Sequence, residues 1–361
     1  MAIKVFYCYA HEDKSLRVTL EKHLGTLKRQ ELITDWSDRN IDAGKEWAKD
    51  INSNLKIANI ILLLISPDFV HSEYCYSIEM MHALERHKQG TARVIPIMLR
   101  PVDYEGEPFS ELQALPTGAI PITDRKWHNR DEAFYDVAQG IRKVVKELLS
   151  KQWVDDGNID LYREQYNEAL LAFKHALFFD PANALAHVGL GQTLLHLANI
   201  ADAPLEMVED YQKALDAFEQ AIRLDETNAD AYVGKAQALR WNKGEEEGPN
   251  IVNICEHALR LDPKNVDAYI LQGDIYTIAG LNEEAVIAYE KAIDVGTFFD
   301  TYAWNSKGDA LYKLERYKEA IIAYDTVIQA FPKRSYAYKG KADALYKLEQ
   351  YQEALLVYEQ A

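Results

Sequence analysis

The first 149 residues alternate between short apolar runs and segments with the periodicity of amphipathic helices. Two of the runs are almost continuously apolar, as in strands that are buried on both faces of a parallel sheet. The predicted strands are Lys4–Tyr9, Ile33–Trp36, Ile60–Ser66 and Arg93–Leu99. The predicted helices are Lys14–Gln30, Trp47–Ile57, Ser72–His87 and Asp131–Leu149. This alternation predicts an α/β domain with a parallel sheet flanked by helices.

From residue 150 onward the pattern is helical and repeats. Tyr302–Val327 and Tyr336–Ala361 align without gaps at a spacing of 34 residues, with about half of their positions identical. Six units place a large residue and then a small one on a first helix: Trp153/Gly157, His187/Gly191, Tyr232/Ala236, Tyr269/Gly273, Trp304/Gly308 and Tyr338/Ala342. On the second helix a small residue precedes an aromatic one: Ala169/Phe173, Ala214/Phe218, Ala285/Tyr289, Ala320/Tyr324 and Ala354/Tyr358, with Ile251/Cys255 in the third unit.

This period and these positions resemble tetratricopeptide (TPR) repeats. The resemblance implies an all-α superhelical solenoid over residues 150–361, with six stacked helix pairs and most of the aromatic side chains in a continuous core. It also implies a concave groove that holds a peptide or protein ligand. The sixth unit is incomplete at Ala361. We therefore expect further repeats, a partner or a second copy to cover its apolar face.

Several stretches of the first domain resemble TIR domains, particularly the bacterial ones. Val5–Asp13 is similar to the first box of the family, Phe-Ile-Ser-Tyr-Ser-x-x-Asp, with Cys8 and Ala10 at the two serine positions. Asp35–Trp47 resembles the second strand and the BB loop, and Ser66–Leu84 resembles the third strand and the helix after it. The resemblance covers residues 1–149 and implies a flavodoxin-like fold.

Enzymatic TIR domains cleave NAD+ with a glutamate on the helix after the third strand, and Glu79 is the matching residue here. The family often has four residues from a preceding aromatic to this glutamate, whereas Tyr74 to Glu79 is five. Glu73 and Glu85 are therefore the alternatives. A fixed carboxylate suits the reaction, because loss of nicotinamide leaves an oxocarbenium-like charge on the ribose. Without the resemblance, Glu79 would be interpreted as an ordinary charge on an exposed helix face.

Ligands of parallel α/β sheets bind beside the carboxyl ends of the strands. The resemblance adds the first-box loop and the BB loop to this site. The expected substrate-binding residues are Tyr9, Ala10, His11, Asp38, Arg39, Trp47 and Ser66. Three of them have a second interpretation. His11 either contacts a phosphate or caps the next helix, Arg39 contacts the substrate or is solvated, and Trp47 stacks on a base or packs at a helix start.

Composition limits the remaining chemistry. The chain has 40 basic and 57 acidic side chains and a net charge of −17, which argues against binding to nucleic acid or to anionic membranes. Its three cysteines form no CxxC pair, which excludes a disulfide framework and favours a cytoplasmic protein. No leader peptide is predicted, and the most apolar run, Ile60–Ile65, is too short to cross a membrane.

No cofactor or metal is predicted. The sequence lacks a GxGxxG turn and a P-loop, so neither a Rossmann dinucleotide cofactor site nor a P-loop nucleotide site is indicated. The resemblance to enzymatic TIR domains implies NAD+ as a substrate and not as a bound cofactor. His71, His82 and His87 have spacings that do not converge on one helix face, and we predict no metal site.

The expected function is an NAD+ glycohydrolase that releases nicotinamide and ADP-ribose or a cyclic ADP-ribose. TIR enzymes typically become active when assembled, because the BB loop of one subunit helps to form the pocket of its neighbour. The resemblance therefore implies activation by self-association through TIR and TPR surfaces, control by the TPR array and a role in bacterial antiphage defence. The alternative is a non-enzymatic adaptor that acts through TIR–TIR and TPR–ligand contacts and needs no catalytic Glu79.

Overall fold

The computed structural model describes residues 2–36, 53–200, 204–243, 247–296 and 301–361. Contacts between residues divide the chain into two compact units, Met1–Gln152 and Trp153–Ala361.

The described part of the first unit contains a four-stranded parallel sheet in the order β2-β1-β3-β4. Its strands are β1 (Ile3–Tyr9), β2 (Ile33–Trp36), β3 (Ile60–Ile65) and β4 (Arg93–Met98). Each strand lies within one residue of its predicted bounds. All six residues of β3 are buried, because this strand lies between β1 and β4 and the sheet is covered on both faces. The predicted α/β fold with a parallel sheet is confirmed.

Two predicted helices of this unit are divided. The predicted helix Lys14–Gln30 consists of α1 (Lys14–His23) and α2 (Gly25–Arg29), which are separated at Leu24. Gly25 explains the break, because glycine lowers helix stability by about 1 kcal/mol relative to alanine. The predicted helix Ser72–His87 is preceded by α3 (Pro67–His71) and consists of a π-helical segment, Tyr74–Met80, followed by α4 (Met81–Lys88). Of the predicted helix Trp47–Ile57, the described residues 53–57 are helical.

The helix predicted at Asp131–Leu149 is much longer than the sequence suggested. Helix α5 runs over 33 residues, Arg130–Tyr162, and includes the first-repeat pair Trp153 and Gly157. Residues 150–152 contain neither glycine nor proline to stop the helix. The predicted boundary after residue 149 therefore falls inside a continuous helix.

The second unit is built from antiparallel helices. After α5 these are α6 (Tyr166–Phe179), α7 (Ala184–Ile200), α8 (Pro204–Leu224), α9 (Ala229–Lys243), α10 (Gly248–Leu261), α11 (Val266–Ile278), α12 (Asn282–Val295), α13 (Thr301–Lys313), α14 (Tyr317–Ala330), α15 (Ser335–Lys347) and α16 (Tyr351–Tyr358). With the end of α5, the helices of the described ranges form six consecutive pairs, which confirms the predicted solenoid.

Small and aromatic residues hold the solenoid together. The ring of Phe173 in α6 lies between two glycines, one in its own repeat and one in the next. A Cβ atom at Gly157 would lie 2.8 Å from this ring, and one at Gly189 would lie 2.2 Å from it. Only glycine fits at such a close approach, so the small positions determine the distance between helices. The predicted core role is confirmed for Phe173, Phe218, Tyr289 and Tyr324, which are at most 2% exposed.

The last helix carries exposed apolar side chains. In α16, Leu355 and Leu356 are 60% and 59% exposed, and Tyr358 is 41% exposed. That further repeats, a partner or a second copy covers this face stays a prediction.

Among the described residues, no helix combines the length and the apolar composition that a membrane span needs.

Candidate functional site

A polar network with a buried centre joins the loops after three of the strands. Asp13 follows β1, is 2% exposed and accepts a hydrogen bond from the hydroxyl of Ser66, the first residue after β3. Arg100 follows β4, and its Nε lies 3.0 Å from Asp13 Oδ1. Arg100 also forms an ion pair with Asp68. The network fixes the carboxyl edge of the sheet, where ligands of parallel sheets bind.

Ser66 is one of the predicted substrate-binding residues, and its hydroxyl is engaged within the protein. It caps α3 by accepting a hydrogen bond from the backbone N–H of Phe69 at 3.1 Å, while it donates to Asp13. The residue is fully buried. Serine is preferred at this cap position because its oxygen satisfies a backbone N–H that the helix leaves open. In this structure Ser66 therefore shapes the edge of the site without facing solvent.

Glu79 is a buried carboxylate, in contrast to the two alternatives. It is 5% exposed, and its Oε2 lies 2.8 Å from the Sγ atom of Cys8 in β1. Glu73 and Glu85 are exposed, and Glu85 accepts a hydrogen bond from Gln89 at 2.7 Å. Burying a carboxylate costs free energy unless it has partners, and such groups cluster at functional sites. The geometry therefore favours Glu79 over Glu73 and Glu85 as a chemically active residue.

The π-helical segment accommodates the unusual spacing before Glu79. Hydrogen bonds of a π-helix join residue i to residue i+5, so each turn holds roughly one residue more than an α-helical turn. Cys75, at the start of this segment, contacts β1 through its Sγ, which lies 3.4 Å from the carbonyl oxygen of Tyr9. Glu79 contacts the neighbouring Cys8. The additional residue between Tyr74 and Glu79 thus leaves both side chains directed at the end of β1.

The first-box residues occupy the end of β1 and the turn after it. Tyr9 is half-buried, and the guanidinium carbon of Arg17 lies 5.3 Å from its ring centroid. Ala10 is 3% exposed, and its carbonyl accepts a hydrogen bond from the Asp13 N–H at 2.9 Å. His11 is exposed, and the cap position of α1 belongs to Asp13. Of the predicted substrate-binding residues in the first box, Tyr9 and His11 are therefore the ones that a ligand can reach.

The structure brings Tyr9, Ala10 and Ser66 to the carboxyl edge of the sheet and places Glu79 beside the residue before Tyr9. The predicted residues Asp38, Arg39 and Trp47 lie outside the described residues.

Over the described ranges, no group of three or more His, Cys, Asp or Glu side chains could hold a metal ion.

Several residues of this region were not predicted from the sequence as site residues, among them Cys8, Asp13, Arg17 and Arg100. Burial raises the pKa of the Cys8 thiol well above its usual range, so the thiol stays protonated. Burial and the charge of Glu79 together raise the pKa of Tyr74 to about 12. The alternation of side chains along β1 puts Phe6, Cys8 and Ala10 on one face of the sheet. This pattern predicts that Cys8 is buried, but it does not predict the contact between Cys8 and Glu79.

The second unit has a groove of about 580 Å³ between the first helices of its early repeats. Polar side chains line much of it, among them Gln192, His196, Gln237 and Asp267. The aromatic residues Tyr162 and Trp241 also border it and are 91% and 55% exposed. Exposed aromatic rings beside polar groups suit a peptide ligand.

Comparison with known families assigns both units. A profile of the TIR domain matches residues 5–136. Profiles of the tetratricopeptide repeat match residues 208–247 and 302–361, and a further one matches residues 266–295. The chain joins a TIR domain to TPR repeats. The helix pairs before residue 208 have the same packing of Phe173 between glycines as the matched TPR repeats have around Tyr324.

A protein of Sinorhizobium fredii, named as uncharacterized, is 48% identical to this chain over 141 residues. The match covers 39% of this chain and 43% of the relative, so the chain spans less than half of the relative's length.

Solved structures resemble the TPR part. PilW, a type IV pilus biogenesis factor, has a TM-score of 0.50 at 15% identity, covering 58% of this chain and 91% of PilW. PilF of Pseudomonas aeruginosa has a TM-score of 0.49 at 17% identity, with 59% and 90% coverage. A thermophilic TPR protein of Thermus thermophilus has a TM-score of 0.44 at 17% identity, with 57% and 99% coverage. At these identities the likeness concerns the fold alone.

Proposed function

We propose that the TIR domain cleaves the bond between nicotinamide and ribose in NAD+, with Glu79 as the catalytic residue. The observation that supports this proposal is the burial of the Glu79 carboxylate beside the end of β1, where its Oε2 accepts a hydrogen bond from Cys8 at 2.8 Å. The exposed alternatives Glu73 and Glu85 have no comparable surroundings among the described residues.

Cleavage of the bond between nicotinamide and ribose requires a negatively charged group near the ribose more than it requires a proton donor. Departure of nicotinamide neutralises its pyridinium ring, so the leaving group requires no proton. The ribose then carries an oxocarbenium-like positive charge, which a fixed carboxylate stabilises. The interaction is stronger in a site of low polarity than in water, and 5% exposure gives Glu79 such surroundings. Water or an adenine nitrogen then attacks the ribose, giving ADP-ribose or a cyclic ADP-ribose.

The substrate would lie across the carboxyl edge of the sheet. Tyr9 and His11 are accessible there, and Ala10 lets the backbone come close to the substrate. Ser66 acts indirectly, by holding Asp13 and α3 in place. Asp38 and Arg39 after the second strand, together with Trp47 of the BB loop, complete the site in this proposal. NAD+ is the substrate, and no cofactor or metal takes part.

The TPR array would control this activity. A peptide or protein bound in the groove beside Gln192 and Trp241 would bring TIR domains together, and the BB loop of one subunit would complete the site of the next. The free and buried cysteines suit a reducing cytoplasm. A role in bacterial antiphage defence follows from the TIR resemblance alone.

The second candidate function is a non-enzymatic adaptor. The groove of the TPR unit favours it, because an adaptor needs a ligand site there and contacts between TIR domains. An adaptor does not need the buried Glu79.

One experiment separates the two functions. The purified chain is incubated with NAD+ over a range of protein concentrations, and nicotinamide and the sugar nucleotide are separated by chromatography. The proposal predicts that both products form in equal amounts and that turnover rises faster than protein concentration. An absence of nicotinamide in preparations shown by light scattering to be oligomeric would support the adaptor and rule out the proposed enzyme.

A further inference from the structure

The thiol of Cys8 lies between the sheet and the π-helical segment that carries Glu79. Cys8 is fully buried and Glu79 is 5% exposed, so little water reaches the contact between them. Cys8 Sγ and Glu79 Oε2 are 2.8 Å apart. The thiol donates this hydrogen bond and the carboxylate oxygen accepts it.

Cys8 has one proton, and two groups compete for it. Burial, a hydrogen bond with Cys75 and the charge of Glu79 raise the pKa of Cys8, which keeps the proton on its sulfur. The same proton also faces Cys75, whose pKa is lowered to about 7 by hydrogen bonds from Cys8 and Ser72 although burial opposes this. We assign the Cys8 hydrogen bond to Glu79 on geometry, because a carboxylate is a stronger acceptor than a thiol and the Sγ–Oε2 separation is short; the proton itself stays on sulfur.

We propose that Cys8 is a positioning residue for Glu79, whose thiol proton orients the carboxylate and keeps it ionised at the working pH. The proposal rests on the NAD+ cleavage proposed above and adds a second residue to it. Cys8 stands where the first box of TIR domains usually has serine, so this chain uses a weaker donor than a hydroxyl at this position.

Titratable groups face Glu79 from two elements. Burial and the charge of Glu79 raise the pKa of both Cys8 of β1 and Tyr74 of its own segment. Tyr74 has a pKa of about 12 and stays neutral over the pH range of the test. Cys75, next to Cys8, is a third titratable group at this contact, and hydrogen bonds from Cys8 and Ser72 lower its pKa to about 7 against the effect of burial.

The test is the pH profile of kcat/KM for NAD+ in three variants of the intact chain. A donated hydrogen bond favours the ionised carboxylate. Without the donor in Cys8→Ala, the acid limb of the profile moves to higher pH, by roughly one pH unit. Cys8→Ser restores a donor, and its acid limb returns to the wild-type position or below it. Cys255→Ser is the control, since this thiol is fully buried in the other unit.

A second measurement does not depend on activity. The melting temperatures of wild type, Cys8→Ala, Glu79→Gln and the double variant form a mutant cycle. Coupling predicts that Cys8→Ala lowers the melting temperature less in the Glu79→Gln background, because the ionised partner is already absent. Additive losses would overturn the proposal, even if every variant were inactive.

The two measurements separate the outcomes. An acid limb that stays in place in a folded, active Cys8→Ala would overturn the role of Cys8 and leave NAD+ cleavage intact. An absence of turnover in all variants would overturn NAD+ cleavage, and the melting cycle would still decide whether Cys8 and Glu79 interact. A shifted limb together with a non-additive cycle would support the proposal.

Discussion

The hydroxyl of Tyr324 donates a 2.7 Å hydrogen bond to Asp309 Oδ1 across the two helices of the fifth TPR repeat. The fourth repeat has the same contact, from Tyr289 to Asp274 at 2.8 Å, and the sixth repeat has it between Tyr358 and Asp343. Phenylalanine replaces the tyrosine in the first two repeats, at positions 173 and 218. The C-terminal repeats therefore add a polar contact to the packing of rings against small residues, which is buried in the fourth repeat and exposed in the sixth.

The carboxyl group of Asp309 makes the stability of these repeats depend on pH. The residue is exposed as a whole, but partial desolvation of its carboxyl group raises the pKa of Asp309 above its usual value, although the hydrogen bond from Tyr324 lowers it in part. A raised pKa in the folded state means that the folded chain holds the proton more tightly. The free energy of unfolding that this proton contributes is complete below the pKa that Asp309 has in the unfolded chain. It is lost as the pH rises through the pKa that Asp309 has in the folded chain.

Asp309→Asn removes this titration and keeps an oxygen for Tyr324. We expect the variant to gain stability relative to wild type as the pH is raised from about 4 to about 7. The midpoint of urea unfolding, followed by circular dichroism at both pH values, measures the change. A difference between the two proteins that does not vary with pH would contradict the assignment.

Gly234 tests the close packing of the solenoid. A Cβ atom there would lie 2.1 Å from the ring of Phe218, so Gly234→Ala forces the ring or a helix to move. We expect a loss of about 2–3 kcal/mol, which is typical of an overpacked core. Gly248→Ala is the control in the same unit, because its new Cβ would meet only Ile275 Cγ2 at 3.4 Å. Equal urea midpoints for the two variants would rule out this account of the glycines.

Ser66 separates a structural role from direct binding of substrate. Ser66→Ala removes the cap of α3 and the donor to the buried Asp13, so we expect the TIR domain to lose about 1–3 kcal/mol. Because the side chain is fully buried, KM for NAD+ should change less than about twofold, well below the effect of losing a direct polar contact. Thermal unfolding and initial rates at 20 °C or below, where the variant stays folded, measure the two effects. A large rise in KM without a loss of stability would mean that Ser66 binds the substrate itself.

The sequence predicted the elements whose signal lies in hydrophobic periodicity. The run Ile60–Ile65 is apolar because β3 is buried on both faces, and the glycine and aromatic positions of the repeats reflect direct helix contacts. Three features lacked such a signal. The break at Leu24 depends on one glycine. The continuity of α5 depends on the absence of a residue that stops the helix, and the π-helical segment depends on a single additional residue.

The candidate site was predicted only in part for a related reason. The resemblance pointed to Glu79 on a helix, but the burial of Glu79 and its contact with Cys8 depend on how β1 and the π-helical segment pack. Ser66 was expected to face the substrate, whereas its hydroxyl is used by Asp13 and Phe69. Contacts between residues this distant in sequence arise from the tertiary structure, and neither propensity nor spacing encodes them.

The most direct measurement compares nicotinamide release by the intact chain, by Glu79→Gln and by Glu85→Gln. Glu85 is an exposed glutamate six residues after Glu79 and serves as the matched control. Our account predicts equal rates for wild type and Glu85→Gln and a rate at least ~100-fold lower for Glu79→Gln, as when a charge-stabilising group is removed from an active site. Turnover that survives in a folded Glu79→Gln, or that is lost equally in both variants, would contradict it.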